Sequence, residues 1–173
     1  MTRAFPLVAF FALFSAGCIT SAPFTAVLEN GTDETMYVDA SFGMVQLNKE
    51  VGDEWSNVTE SSAMLCASRC GVPDPIRCAI ADVAMMVFEL APGQTTEVEF
   101  DGDGYVITEA GCFVQVGHGG PALLSVCHSA EADLLDQDAT GRGLRSGQIV
   151  NRDCVEHEVE IEAGAEVVLT LTN

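Results

Sequence analysis

Basic residues are scarce in this 173-residue chain: seven Lys plus Arg stand against 26 Asp plus Glu, a net charge of −19. Such a surface repels phosphate backbones, which excludes nucleic acid as a partner. Long apolar runs are missing too. The stretch AFPLVAFFALF at 4–14 has 11 residues, well short of the roughly 20 that a membrane-spanning helix needs. Helical periodicity nowhere exceeds two turns, and only ESSAMLCAS (60–68) reads as a short helix. Catalytic signatures are incomplete. GHGGP (117–121) has the look of an esterase oxyanion loop, yet no G-x-S-x-G elbow exists in the chain. GRGLRSG (141–147) misses the spacing of both phosphate-loop patterns.

What is present begins at the N-terminus. Arg3 and the apolar stretch after it form a basic tip and an export-signal core. Two cuts are open: before Pro23, giving a plainly secreted protein, or before Cys18, after Ser15, Ala16 and Gly17. An uncut anchor is the third alternative. Small residues ending in Gly-Cys resemble the bacterial lipobox, whose cysteine receives a diacylglycerol; Ser15 stands where Leu is usual. The expected organisation is a signal peptide over 1–17, a lipidated Cys18 with a tether to residue 23, and one domain over 24–173. Removing the first 17 residues leaves six basic against 26 acidic residues, a charge of −20.

Seven cysteines are an odd number, and setting Cys18 aside leaves six: Cys66, Cys70, Cys78, Cys112, Cys127 and Cys154. In an exported chain these are expected to form three disulfides, whose connectivity the sequence leaves open. Each would add about 2–4 kcal/mol by restricting the unfolded ensemble.

The rest of the chain reads as strands. TAVLEN (25–30) and MYVDASF (36–42), joined by the polar GTDET, predict a hairpin or strand pair. Residues 43–65 alternate poorly and include Trp55, the single tryptophan, expected as a core plug. FELAPGQTTEVEF (88–100) and VEIEAGAEVVLTL (159–171) repeat one pattern of hydrophobe-x-hydrophobe, a glycine, then hydrophobe-x-hydrophobe. Both are expected as glycine-turn hairpins, with further strands at CFVQV (112–116) and ALLSVCH (122–128). In VEHEVEIE (155–162), Val155, His157, Val159 and Ile161 share one face. Glu156, Glu158, Glu160 and Glu162 share the other, which must be solvated. Segments 66–78 and 129–153 read as loops and as the variable surface. Together these predict an all-β antiparallel sandwich of immunoglobulin-like class.

Metal chemistry is the alternative. CASRCGVPDPIRC (66–78) spaces its cysteines C-x3-C-x7-C, which does not match zinc sites. His118, His128 and His157 each lie near a cysteine, a copper or zinc environment, but no Met follows His157 as blue-copper sites require. Cys127 and His128 would point to opposite faces of a strand. DGDGY (101–105) fails as an EF-hand and reads as a tight turn, whereas Asp133, Asp136 and Asp138 are candidate Ca²⁺ ligands.

With its Gly-Cys signal and twin glycine phrases, the chain resembles bacterial lipoproteins that hold a small cysteine-bearing β-sandwich. LAPGQTTEVEFDGDGY (90–105) is similar to a phrase recurring in such domains and in immunoglobulin-like sandwiches of the bacterial proteinase-inhibitor type. Phe100 takes the place where tryptophan is common, and no inhibitory residue carries over. The likeness spans about residues 83–128. The resemblance implies an envelope lipoprotein, and Ile19 after Cys18, in place of a retaining Asp, implies the outer membrane. The expected function is a non-enzymatic, monomeric interaction or structural module without cofactor. The alternative is a periplasmic metal-binding protein, with a hydrolase third.

Overall fold

A computed structural model describes residues 21–59, 69–71, 85–135 and 143–172. Cys18, Cys66, Cys78, Asp136, Asp138 and the helix expected at 60–68 lie outside the described residues. Strands account for the regular structure among the described residues, and they form two facing sheets and a separate hairpin.

Strand β1 (Phe24–Asn30) alternates buried and half-buried residues along its whole length. Phe24, Ala26, Leu28 and Asn30 point inward, as period-2 patterning dictates. It is the middle of a three-stranded sheet. One neighbour is β6 (Thr95–Phe100), antiparallel to it; the other is β13 (Glu166–Leu171), parallel to it.

The larger sheet is built around β9 (Gly120–Ser129). One edge of β9 pairs with β12 (Asp153–Ile161), from His128 against Asp153 to Gly120 against Ile161. The other edge is shared end to end by β2 (Met36–Asp39) and β3 (Gln46–Val51), both antiparallel to it. β5 (Met86–Leu90) pairs with β2 and with β11 (Leu144–Val150), and β11 pairs with β10 (Glu131–Leu134). β4 (Glu54–Asn57) pairs with β3. The core lies between the sheets, where Phe24, Leu28, Phe100, Leu169 and Leu171 meet Val38, Leu47, Leu90, Leu124, Val126 and Ile161. Full burial of each such side chain contributes about 1.5–3 kcal/mol.

A separate hairpin, β7 (Asp103–Ile107) and β8 (Phe113–Gly117), carries one disulfide, Cys70–Cys112, which ties segment 69–71 to it. The second, Cys127–Cys154, links directly paired residues of β9 and β12. The two disulfides place four of the six expected cysteines.

The all-β sandwich, antiparallel except for the β1–β13 pair, agrees with the sequence reading, but several local expectations need correction. The 25–30 and 36–42 segments are not a hairpin, because β1 and β2 belong to different sheets. The twin glycine phrases are not hairpins either. β5 and β12 lie in the larger sheet while β6 and β13 flank β1 in the smaller one, so each phrase is an arch crossing the core. Within segment 129–153, expected as a loop, the described residues form β10 and β11, paired with each other. Residues 46–57 form a strand pair turning at Gly52, whose φ of 72° suits glycine. Trp55 is 42% exposed and plugs nothing.

The two arches use the same backbone groups, bonding to one residue of β1 at the antiparallel end and to the two residues flanking Phe24 at the parallel end. At the first, Gly93 N–H donates to the Asn30 carbonyl at 2.9 Å, and Asn30 N–H donates to the Gln94 carbonyl at 3.0 Å. At the second, Gly164 N–H donates to the Pro23 carbonyl at 2.7 Å, and Thr25 N–H donates to the Ala165 carbonyl at 3.0 Å. The repeated phrase therefore clamps both ends of β1 by one device. Asn30 reinforces its end: fully buried, its Nδ2 donates to the Glu34 and Leu90 carbonyls, and its Oδ1 accepts from Thr32 N–H and Oγ1.

Candidate functional site

Lys49 is the single lysine of the chain, and it is 8% exposed. It follows Val45 and Leu47 on the inward face of the β3 segment, where the pattern calls for an apolar residue. Its Nζ reaches the turn between β8 and β9 and donates to the carbonyls of His118 (3.3 Å), Gly119 (2.9 Å) and Pro121. Three ammonium hydrogens meet three acceptors, which lets a buried cation persist. Burial pushes its pKa down, and the nearby Glu160 carboxylate pulls it back up.

The same turn holds His118, which has no exposure. Its Nδ1 accepts from Gly102 N–H at 3.2 Å, which assigns the proton to Nε2. Its own N–H donates to the Gly102 carbonyl at 2.8 Å, which Ala22 N–H also reaches at 3.1 Å. The ring stands edge-on to Phe24 and Phe100, themselves stacked at 4.5 Å between centroids. Burial pushes the His118 pKa down, against the opposing pull of Asp103 and Asp101 and with a smaller push from Lys49. The imidazole is thus neutral at pH 7, and Nε2 has no hydrogen-bond partner among the described residues. An oxyanion hole presents N–H donors to a substrate. The turn 117–121 does the reverse, directing carbonyls at Lys49.

The other sequence candidates are dispersed. Cys70, Cys112, Cys127 and Cys154 are covalently paired and present no thiolate to a metal. His128 shares the core face of β9 with Leu124 and Val126, and Cys127 faces away, as strand parity requires. His128 is 2% exposed, neither ring nitrogen has a partner among the described residues, and burial pushes its pKa down despite the pull of Asp153. His157 sits half-buried on β12, opposite Leu124. Asp133 is exposed on β10, opposite Gln148. Among the described residues no three His, Cys, Asp or Glu side chains converge on a metal-sized position. Sequence reasoning missed Lys49; its signal was a lone lysine at core parity after Val45 and Leu47.

The described surface with the most regular chemistry is β12. Glu156, Glu158 and Glu160 are exposed on its outer face, opposite Ser125, Leu123 and Pro121 of β9. Val155, His157 and Val159 are half-buried on the inner face. Among the described residues, β12 pairs only with β9, so its other edge is open. No family model, no curated protein and no solved structure matches the chain.

Proposed function

We propose that the chain is a non-enzymatic interaction module of the bacterial cell envelope, of immunoglobulin-like class and held to a membrane by acylated Cys18. The observation that carries this reading is the pair of disulfides, which belong to an oxidising compartment. The Gly-Cys signal and the likeness of residues 90–105 to envelope sandwiches supply the anchor and the fold class. The first buried residue among the described ones, Ala22, follows Cys18 by four positions. At about 3.5 Å per extended residue, the sandwich would therefore stand within about 14 Å of the acylated cysteine. The end carrying Ala22, Gly102 and the 117–121 turn would face the lipid. With its single lysine turned inward, the module offers acidic groups to whatever it meets.

Fractionation of cells making the full chain tests the anchor. Wild-type protein should pellet with membranes and Cys18→Ala should be released as soluble protein; an unchanged membrane fraction for Cys18→Ala would overturn the reading. Titration of the unfolded, non-reduced protein with a thiol reagent should find no free cysteine once Cys18 is acylated and the remaining six are paired.

A further inference from the structure

The open edge of β12 has a definite chemical preference. It is nine residues long, and the other edge strands of the two sheets have four to six. An open edge offers alternate N–H and C=O groups to another extended chain. On the outer face such a chain would run beside Glu156, Glu158 and Glu160. None of these carboxylates is in a salt bridge among the described residues, where the ion pairs are Arg145–Glu89 and Arg152–Asp39. Carboxylates two residues apart lie about 6.7 Å from one another along a strand. On the inner face the added chain would meet Val155 and Val159, which pack on the core but remain half open at the edge.

A second copy of β12 does not fit, since like charges placed directly across a strand pair are destabilising. A segment alternating basic and apolar residues fits both faces at once. Its Lys or Arg side chains meet the glutamates, and its Val, Ile or Leu side chains close over Val155 and Val159. We infer that β12 is a docking edge for an extended segment of a partner protein in which basic and apolar residues alternate. The inference gives the interaction module a partner chemistry and rests on that reading for its biological role. The edge itself does not depend on Cys18.

The test is titration calorimetry of the purified full chain, disulfides intact, with the peptides KVKVKVK and KKKVVVK. A third probe is KVKVKVK carrying N-methyl groups on the amides of one edge. KVKVKVK should bind, and Glu156→Gln, Glu158→Gln and Glu160→Gln combined should weaken it about tenfold. The control pair Glu97→Gln and Glu99→Gln, on the edge strand β6, should leave binding unchanged. KKKVVVK, which keeps composition but breaks the alternation, should bind at least about tenfold more weakly, as should the N-methylated peptide. No binding of KVKVKVK, equal binding of KKKVVVK, or equal loss on the β6 control would overturn the inference by reducing it to bulk charge attraction. Release of Cys18→Ala from membranes is an independent result, so either conclusion can fail alone.

Discussion

Lys49 shows how one residue ties elements that are distant in the chain. Its ammonium holds three carbonyls of the 118–121 turn, and that turn in turn carries His118 beneath the stacked Phe24 and Phe100. Lys49→Met keeps the stem and removes the donors, leaving those carbonyls without their partner. Urea unfolding should show a loss of about 2 kcal/mol. The two buried histidines give a pH signature. Burial holds both folded pKa values below the ordinary 6.5, so the unfolded chain binds more protons as pH falls. Their contribution is therefore complete above about pH 7 and declines as pH drops through 6.5 toward the folded values. The slope is at most about 1.4 kcal/mol per pH unit for each histidine. His128→Leu should flatten the decline between pH 7 and 5 in calorimetric scans; an unchanged profile would refute the assignment. The one local sign in the sequence was the parity Lys49 shares with Val45 and Leu47, and it was overridden because lysine at an alternating position is ordinarily an outward residue.

At the scale of elements, the twin arches carry the architecture. Gly93 and Gly164 adopt φ of 68° and 75°, and a Cβ built at either would meet no atom within 4 Å. Replacement is therefore strained by backbone conformation alone. Gly93→Ala and Gly164→Ala should each cost about 1 kcal/mol by chemical denaturation, with near-additive effects in the double variant. Unequal costs above about 2 kcal/mol would contradict the common device. The repeat, the glycines and the inward residues were all legible from the sequence. The arch was not. A hairpin and an arch share the same local alternation, and only long-range pairing separates them: β6 lies beside β1, some 70 residues earlier in the chain. β10 and β11 escaped for a related reason. β10 is only four residues, EADL, and Gly147 sits in the middle of β11, so neither shows the sustained apolar alternation by which a strand is recognised. Trp55 was misplaced because a lone tryptophan suggests burial, whereas its strand is a short edge with an open outer face.

For the whole molecule, charge is the dominant property. Twenty-six acids against few cations repel one another across a small body, and two salt bridges among the described residues do little to offset this. Raising NaCl from about 10 to 300 mM shortens the screening length from about 30 Å to under 8 Å. The melting temperature should rise over that range. A flat or falling curve would mean that specific pairs outweigh the general repulsion. The overall sandwich was readable because its inward residues alternate so regularly, as in the buried positions 24, 26 and 28 of β1.

The parallel pairing of β1 with β13 also has a mechanical meaning. Thr25 aligns with Glu166 and Asn30 with Leu171, so the first and last strands among the described residues begin at the same end and run side by side. Tension applied at residue 21 and resisted at residue 172 would slide β1 against both neighbours, loading their hydrogen bonds together instead of peeling them one after another. A protein hung from its front end in this way would resist pulling as a clamp does, giving way at once and late.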